Sequence, residues 1–423
     1  MNSYRSAVTV VPLLLALVGT PGGAQELPIA QPDALGMSNT RIERLTTALE
    51  DYVDQRALAG AVALVARNGQ IAYLEAVGER DLEAGDPMEV DDIFRIASQT
   101  KMIVSVATMI LQEEGKLLLS DRVGDYLPAF RSNTVAVPRD GGGYDVVPAR
   151  RPITVRDLLT HTSGLDYGSG PAADRWEAAG IQGWYFADRD EPIGETVRRM
   201  AALPLAGHPG ESWIYGYSTD VLGALLEVAS GQTLEQLVTT RILRPLGMND
   251  THFYLPPAKR NRLVTVYSAG DGGLERTADC CGMVSQGAYA DGPRQSFSAG
   301  AGLLSTARDY ATFLQMLLND GELNGQRILS RKSVELMTTD NLATAEFRGG
   351  QGFGLGVSVV EDLGERGIPG SIGEFGWGGA YHSTYWVDPE EELVVVYLTQ
   401  LLPAGNIDDH AKLRALVYQA IVD

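Results

Sequence analysis

The sequence predicts an α+β protein in which an antiparallel sheet is built from both chain ends, flanked by terminal helices, with a mainly helical insertion between. Three observations lead there. Strand-like runs cluster near the start, at residues 61–66 and 71–74, and again near the end, at 353–360, 383–387 and 393–399. The stretch between them carries mostly apolar residues at helical spacing. Helical patterns at 41–58 and 411–421 bracket the strands. One sheet assembled from both termini and covered by those helices accounts for the order. The expected division is a sheet domain of residues 25–95 and 295–423 and a helical domain of residues 96–294.

The elements follow in order. Residues 61–66, the pair Asn68-Gly69 and residues 71–74 read as a hairpin, because Asn-Gly favours the tight turn that joins two strands. A helix opens at Ser98, runs through the apolar stretch 102–111 and stops at Gly115. A short helix at 154–159 leads into His161-Thr162-Ser163-Gly164-Leu165. Further helices are expected at 194–202, 220–230, 234–246, 307–319 and 330–338. The turn at Asp388-Pro389 separates the last two strands. The loop at 167–189 and the region around Cys280 are expected to shape any pocket beside the Ser98 helix.

Composition excludes several classes. A formal charge of −20 argues against nucleic acid and anionic membranes as partners. Residues 1–24 read as an export signal: Arg5 in a short basic start, an apolar run over 6–18, and small residues before a cut after Ala24. That run is shorter than the roughly 20 residues a membrane span needs, so no stable membrane anchor is expected and the mature chain is placed in the periplasm or outside the cell. The only cysteines, Cys280 and Cys281, are adjacent. A bond between neighbours is strained, so they read as an unbridged pair in a loop or partly buried, with a vicinal disulfide as the alternative. The five histidines show no metal-ligand spacing, no Gly-x-Ser-x-Gly elbow occurs, and no glycine loop for phosphates appears, so no metal or cofactor is expected.

Chemistry concentrates in three places. Ser98-Gln99-Thr100-Lys101 puts a hydroxyl and an amine one helical turn apart, close enough for the amine to deprotonate the serine. Of five lysines, only Lys101 has a serine three residues upstream. Tyr215 follows the Pro209-Gly210 turn and precedes a helix, where a tyrosine beside a lysine is a candidate base. Glu374 to Ala380, with Trp377-Gly378-Gly379, opens a strand whose glycines let backbone approach a ligand. The N–H groups of Ser98 and Ala380 together make a candidate oxyanion hole.

With these elements in chain order, the sequence resembles the serine β-lactamase-related family, and within it the class C β-lactamase-like esterases, the family VIII carboxylesterases. Supporting stretches are Leu158 to Leu165, Pro245-Leu246-Gly247-Met248, Gly302 to Thr306 and Trp386 to Glu390. The resemblance implies a β-lactamase/DD-peptidase-like fold, Ser98 as nucleophile, Lys101 and Tyr215 as the base pair, and a third motif at Trp377-Gly378-Gly379. Tyr217-Ser218 also has the form of the family's Tyr-Ser pair. β-Lactamases carry Lys-Thr-Gly at the third motif; here Trp377 takes the lysine's place, and Tyr217 stands where an asparagine is usual. Losing that cation and gaining aromatic walls, including Trp377 and Tyr217, implies small uncharged carboxylic esters as substrates. The same site in a β-lactamase, a D-amino-acid peptidase or amidase, or an acyltransferase is the alternative. His382 reads as a rim or packing residue, and His161 as structural support under the site.

Overall fold

The computed structural model describes residues 26–270, 272–343 and 345–423. The expected export signal lies outside the described residues. Eight strands form one antiparallel sheet: β1 (Gly60–Arg67), β2 (Gln70–Asp81), β3 (Asp86–Pro87), β4 (Gln351–Phe353), β5 (Ser358–Val360), β6 (Phe375–Gly379), β7 (Ser383–Asp388) and β8 (Leu393–Leu398). Their order is β4-β5-β6-β7-β8-β1-β2-β3. The first and last parts of the chain therefore meet where β1 pairs with β8, from Val62 opposite Leu398 to Arg67 opposite Leu393.

These two central strands are buried along their whole length, so their side chains supply two cores. Val62, Leu64, Val394, Val396 and Leu398 face one core, shared with helix α2 (Thr100–Glu113), helix α3 (Ser218–Ser230) and helix α4 (Ala307–Leu318). Ala61, Ala63, Val65, Val395 and Tyr397 face the other, covered by helix α1 (Asn39–Asp54) and helix α5 (Asp409–Tyr418). The period-2 alternation of a strand thus glues one sheet to two helical layers.

The hairpin at Asn68-Gly69 forms with both residues at positive φ, 53° and 74°. The run 353–360 departs from the single strand expected of it. It is divided between β4 and β5, which pair with each other, and Gly356 turns at φ 91°. A Cβ there would stand 2.2 Å from the Ser105 hydroxyl oxygen, so glycine lets this edge of the sheet press onto α2 one turn beyond Lys101. Two small hairpins in the middle of the chain, Thr134–Pro138 with Tyr144–Pro148 and Tyr267–Gly270 with Gly273–Arg276, were not foreseen. Cys280 and Cys281 are joined as a vicinal disulfide on an exposed loop, the alternative rather than the expected free pair. No helix among the described residues is long and apolar enough to cross a membrane.

Candidate active site

Ser98 sits in a tight turn, Ala97–Gln99, that feeds directly into α2. The turn is held from outside. The Tyr310 hydroxyl donates to the Gln99 carbonyl at 2.9 Å, and the Leu303 N–H donates to the Thr100 hydroxyl at 3.1 Å. Ala97 is kept at φ 41°, a conformation that costs about 1 kcal/mol for a residue with a Cβ and that this frame enforces.

Lys101 is 1% exposed. Its Nζ meets three oxygens: Ser98 Oγ at 3.1 Å, Tyr167 Oη at 3.2 Å and the Gly300 carbonyl at 2.8 Å. The Gly300 turn is itself fixed by Asp220 of α3, which accepts from the Ser298 hydroxyl at 2.7 Å and the Gly300 N–H at 3.1 Å. Burial pushes the Asp220 carboxyl up, against the pull of Ser298 and Lys101.

Tyr215 presents its ring face to Lys101, with Nζ 4.6 Å from the centroid, and its hydroxyl accepts from the Trp377 indole N–H at 3.1 Å. The hydroxyl that touches Lys101 belongs to Tyr167, which sequence reasoning placed only in a pocket-shaping loop. Burial, then the neighbouring Tyr215 and Asp220, hold the Tyr167 hydroxyl well above its ordinary value, so it stays protonated. The polar groups run from Ser98 through Lys101 to Tyr167, whose ring meets that of Tyr215 edge-on at 5.6 Å, and the Tyr215 hydroxyl continues to Trp377.

Tyr217 corrects the expectation that it contacts substrate. It is fully buried, stacks on Trp176 at 5.4 Å and donates to the Tyr167 carbonyl at 3.3 Å. It fills the space at the start of α3, beneath Tyr167, and forms no part of the cavity wall. His161 lies where support was expected. Its ring is 4.7 Å from that of Tyr215, and burial, then the charge of Lys101, hold it neutral.

Gly379 explains how β6 reaches the nucleophile. A Cβ on it would fall 2.5 Å from the Ile96 carbonyl, so only glycine lets the strand end lie against the segment entering Ser98. Ala380 follows at once, and Ser98 and Ala380 both border a cavity of about 770 Å³. Trp377, Gly378 and Gly379 line it as well, with Tyr167, Trp184 and Tyr215. The aromatic wall extends behind Trp377 through Phe353 at 5.4 Å and Trp213 at 6.2 Å. The loop bearing Cys280 reaches this wall indirectly, through Met283 packed on Gly183 beside Trp184.

His382, Asp409 and His410 bring ligand atoms within 4.8 Å of one another. The two imidazoles stack face to face at 4.1 Å and 17°, so their lone pairs run parallel rather than converging on one ion. Asp409 is saturated by His382, the His410 N–H and Tyr397. The cluster is a hydrogen-bonded bracket at the cavity edge, which His382 borders.

The chain that carries this site is similar to known proteins along most of its length. Esterase EstB of Burkholderia gladioli is 36% identical over 379 residues, covering 86% of this chain and 91% of that one. The lovastatin esterase of Penicillium rubens is 29% identical over 391 residues, covering 86% and 94%. Among solved structures, EstCE1, described as a hydrolase with promiscuous acyltransferase activity, superposes with a TM-score of 0.76 at 28% identity, over 90% of this chain and 99% of that one. The Beta-lactamase family pattern matches residues 45–419, and the chain belongs to that family.

Proposed function

We propose that this protein is a serine carboxylesterase that cleaves small uncharged esters through an acyl-enzyme on Ser98. The observation that carries the reading is the Lys101 Nζ held 3.1 Å from Ser98 Oγ at the cavity wall. The Gly300 carbonyl and the Tyr167 hydroxyl hold Lys101 Nζ beside Ser98 Oγ, where it stands to take up the serine proton. Ser98 Oγ attacks the ester carbonyl while its proton passes to Lys101. The oxyanion sits between the N–H groups of Ser98 and Ala380. A proton returns through Tyr167 and Tyr215 to the leaving alkoxide, and the alcohol departs. Water, deprotonated by the same chain, then releases the acid from Ser98.

The uncharged character follows from Trp377. By the family resemblance it stands where β-lactamases carry a lysine, and it shares an aromatic wall with Trp213 and Phe353. The names of EstB and the lovastatin esterase support ester cleavage. EstCE1 supports a second outcome at the same site, transfer of the acyl group to an alcohol instead of water.

Initial rates on p-nitrophenyl butyrate and nitrocefin, for wild type and Ser98→Ala, test the reading. Fast ester and slow nitrocefin turnover are expected, both lost in the variant. Substantial ester hydrolysis by Ser98→Ala would overturn it. We also propose that the chain is exported and cut after Ala24, on the strength of the pattern in residues 1–24. Mass spectrometry of the secreted or periplasmic protein should find Gln25 at its start; a mature chain retaining Met1 would overturn export by cleavage.

A further inference from the structure

The loop between β6 and β7 has three residues, Ala380, Tyr381 and His382, since Gly379 pairs with Ser383. It closes with the His382 N–H donating to the Gly379 carbonyl at 3.1 Å, and His382 stands at φ 61°. The last position of a three-residue hairpin needs this left-handed conformation, and glycine is the residue that adopts it without strain. Histidine there carries a cost that its side chain must offset.

Both the side chain and the carbonyl of His382 are tied. Its Nε2 lies 2.7 Å from Asp409 Oδ1. Asp409 is fully buried on α5, and its other oxygen accepts from the Tyr397 hydroxyl at 2.8 Å. The His382 carbonyl accepts from the Thr399 hydroxyl at 2.7 Å and from His410 Nε2 at 3.2 Å. Because Asp409 accepts, His382 carries its proton on Nε2. The hairpin that bears the oxyanion donor is thereby anchored, through side chain and carbonyl, to α5 and to Thr399 just past β8.

We propose that His382, tied by Asp409, is a positioning residue that fixes the Ala380 N–H for the oxyanion of the tetrahedral intermediate. The inference rests on the oxyanion reading of Ser98 and Ala380 above. His382 acts through the backbone two residues before it. Its loss should therefore be felt in the transition state and not in the ground-state complex.

Two substitutions separate the side-chain tie from the backbone conformation. His382→Gly satisfies the positive φ but has no bond to Asp409. His382→Asn tolerates the same φ and keeps an N–H donor near it. The readouts are kcat and KM on p-nitrophenyl butyrate, melting temperature, and the inhibition constant of 1,1,1-trifluorooctan-2-one. That ketone takes the Ser98 oxygen at its carbonyl carbon, the serine proton going to Lys101 and the carbonyl electron pair to oxygen, leaving an oxyanion hemiketal. The expected result for His382→Gly is a 10- to 100-fold fall in kcat with KM unchanged, and a matching rise in the inhibition constant. His382→Asn should recover part of both, and Asp409→Asn should resemble His382→Gly. Wild-type kcat in His382→Gly would overturn the inference, and so would a fall in kcat that leaves ketone binding untouched. A lowered melting temperature with kcat unchanged would reduce His382 to a hairpin support and also overturn it. Ester turnover surviving in Ser98→Ala would instead defeat the esterase reading itself, so the two failures are distinguishable.

Discussion

Lys101 is boxed in by oxygen acceptors and by the face of Tyr215, so its contribution can be separated from that of the tyrosines. Lys101→Met removes the base but keeps the length and burial of the side chain. It should lower kcat by about 10³-fold or more, a typical loss for a general base. Tyr215→Phe and Tyr167→Phe keep the rings and delete one hydroxyl each from the proton path, and each should lower kcat by about 10- to 100-fold. If the two hydroxyls act in one chain, the double variant loses little beyond either single one. Additive losses in single-turnover rates would show independent roles. Ser98, Lys101 and the Trp377 strand were legible because the S-x-x-K spacing and a glycine-rich strand start are local patterns. Tyr167 was not, because it reaches Lys101 from 66 residues away, and no spacing marks it among the chain's 17 tyrosines. Tyr217 was misplaced for a related reason. Sequence proximity to Tyr215 says nothing about which way a side chain turns at the start of a helix, and Trp176 and Tyr167 capture this one below the cavity.

Helix α4 is started by a cluster with opposing titrations. Thr306 caps the helix by accepting from the Asp309 N–H, and the Asp309 carboxylate accepts from the Asp250 N–H at 2.8 Å and the Thr251 hydroxyl at 2.9 Å. Burial pushes Asp309 up to about 6. His252, bridged to Leu304 on the same turn, is pushed down to about 4 by burial and by Lys259. The folded state therefore disfavours charged His252. Its stabilisation is complete above pH 6.5 and is lost as pH falls toward 4, by about 2 kcal/mol after discounting for partial exposure. Asp309 works the other way. The folded state holds its proton more tightly than the unfolded chain, so stability is lost as pH rises from about 4 to 6. His252→Gln should raise the melting temperature at pH 5 relative to pH 7 by a few degrees compared with wild type, and Asp309→Asn should lower it. Melting curves at the two pH values check both signs. The helix itself was legible from its periodicity. The His252 contact was not, because it depends on a bridge between strand-like pieces 52 residues apart.

At the scale of the molecule, the two chain ends build one sheet and the last helix locks it. That much could be read from strand patterns at both termini, since alternation marks strands wherever they fall in the chain. The lock could not be read, because its partners come from three separate elements. Glu374, at the root of β6, accepts from Arg366 at 2.8 Å and from both terminal nitrogens of Arg414 on α5, at 2.7 and 2.9 Å. The Tyr418 hydroxyl of the same helix lies 2.7 Å from both Glu374 and Asp388. The side chains of Glu374, Arg366 and Arg414 are 2%, 9% and 11% exposed, so this is a buried ion network. Such a network contributes little over an apolar substitute when intact, but breaking one member strands the others without water or a counter-charge. Glu374→Gln leaves two guanidiniums around a neutral amide. It should lower the free energy of unfolding by about 3 kcal/mol, read as a fall in the urea midpoint at constant m-value. Replacing Arg414 by methionine should weaken the fold less, because Arg366 still pairs with Glu374. If Glu374→Gln unfolds at the wild-type urea concentration, α5 merely covers the sheet. If the loss appears, the strand that ends at Trp377-Gly378-Gly379 is held from both sides. Ile96 approaches one end at Gly379, and the final helix grips the other at Glu374, which is how a segment near the chain's end keeps its register against a serine near its start.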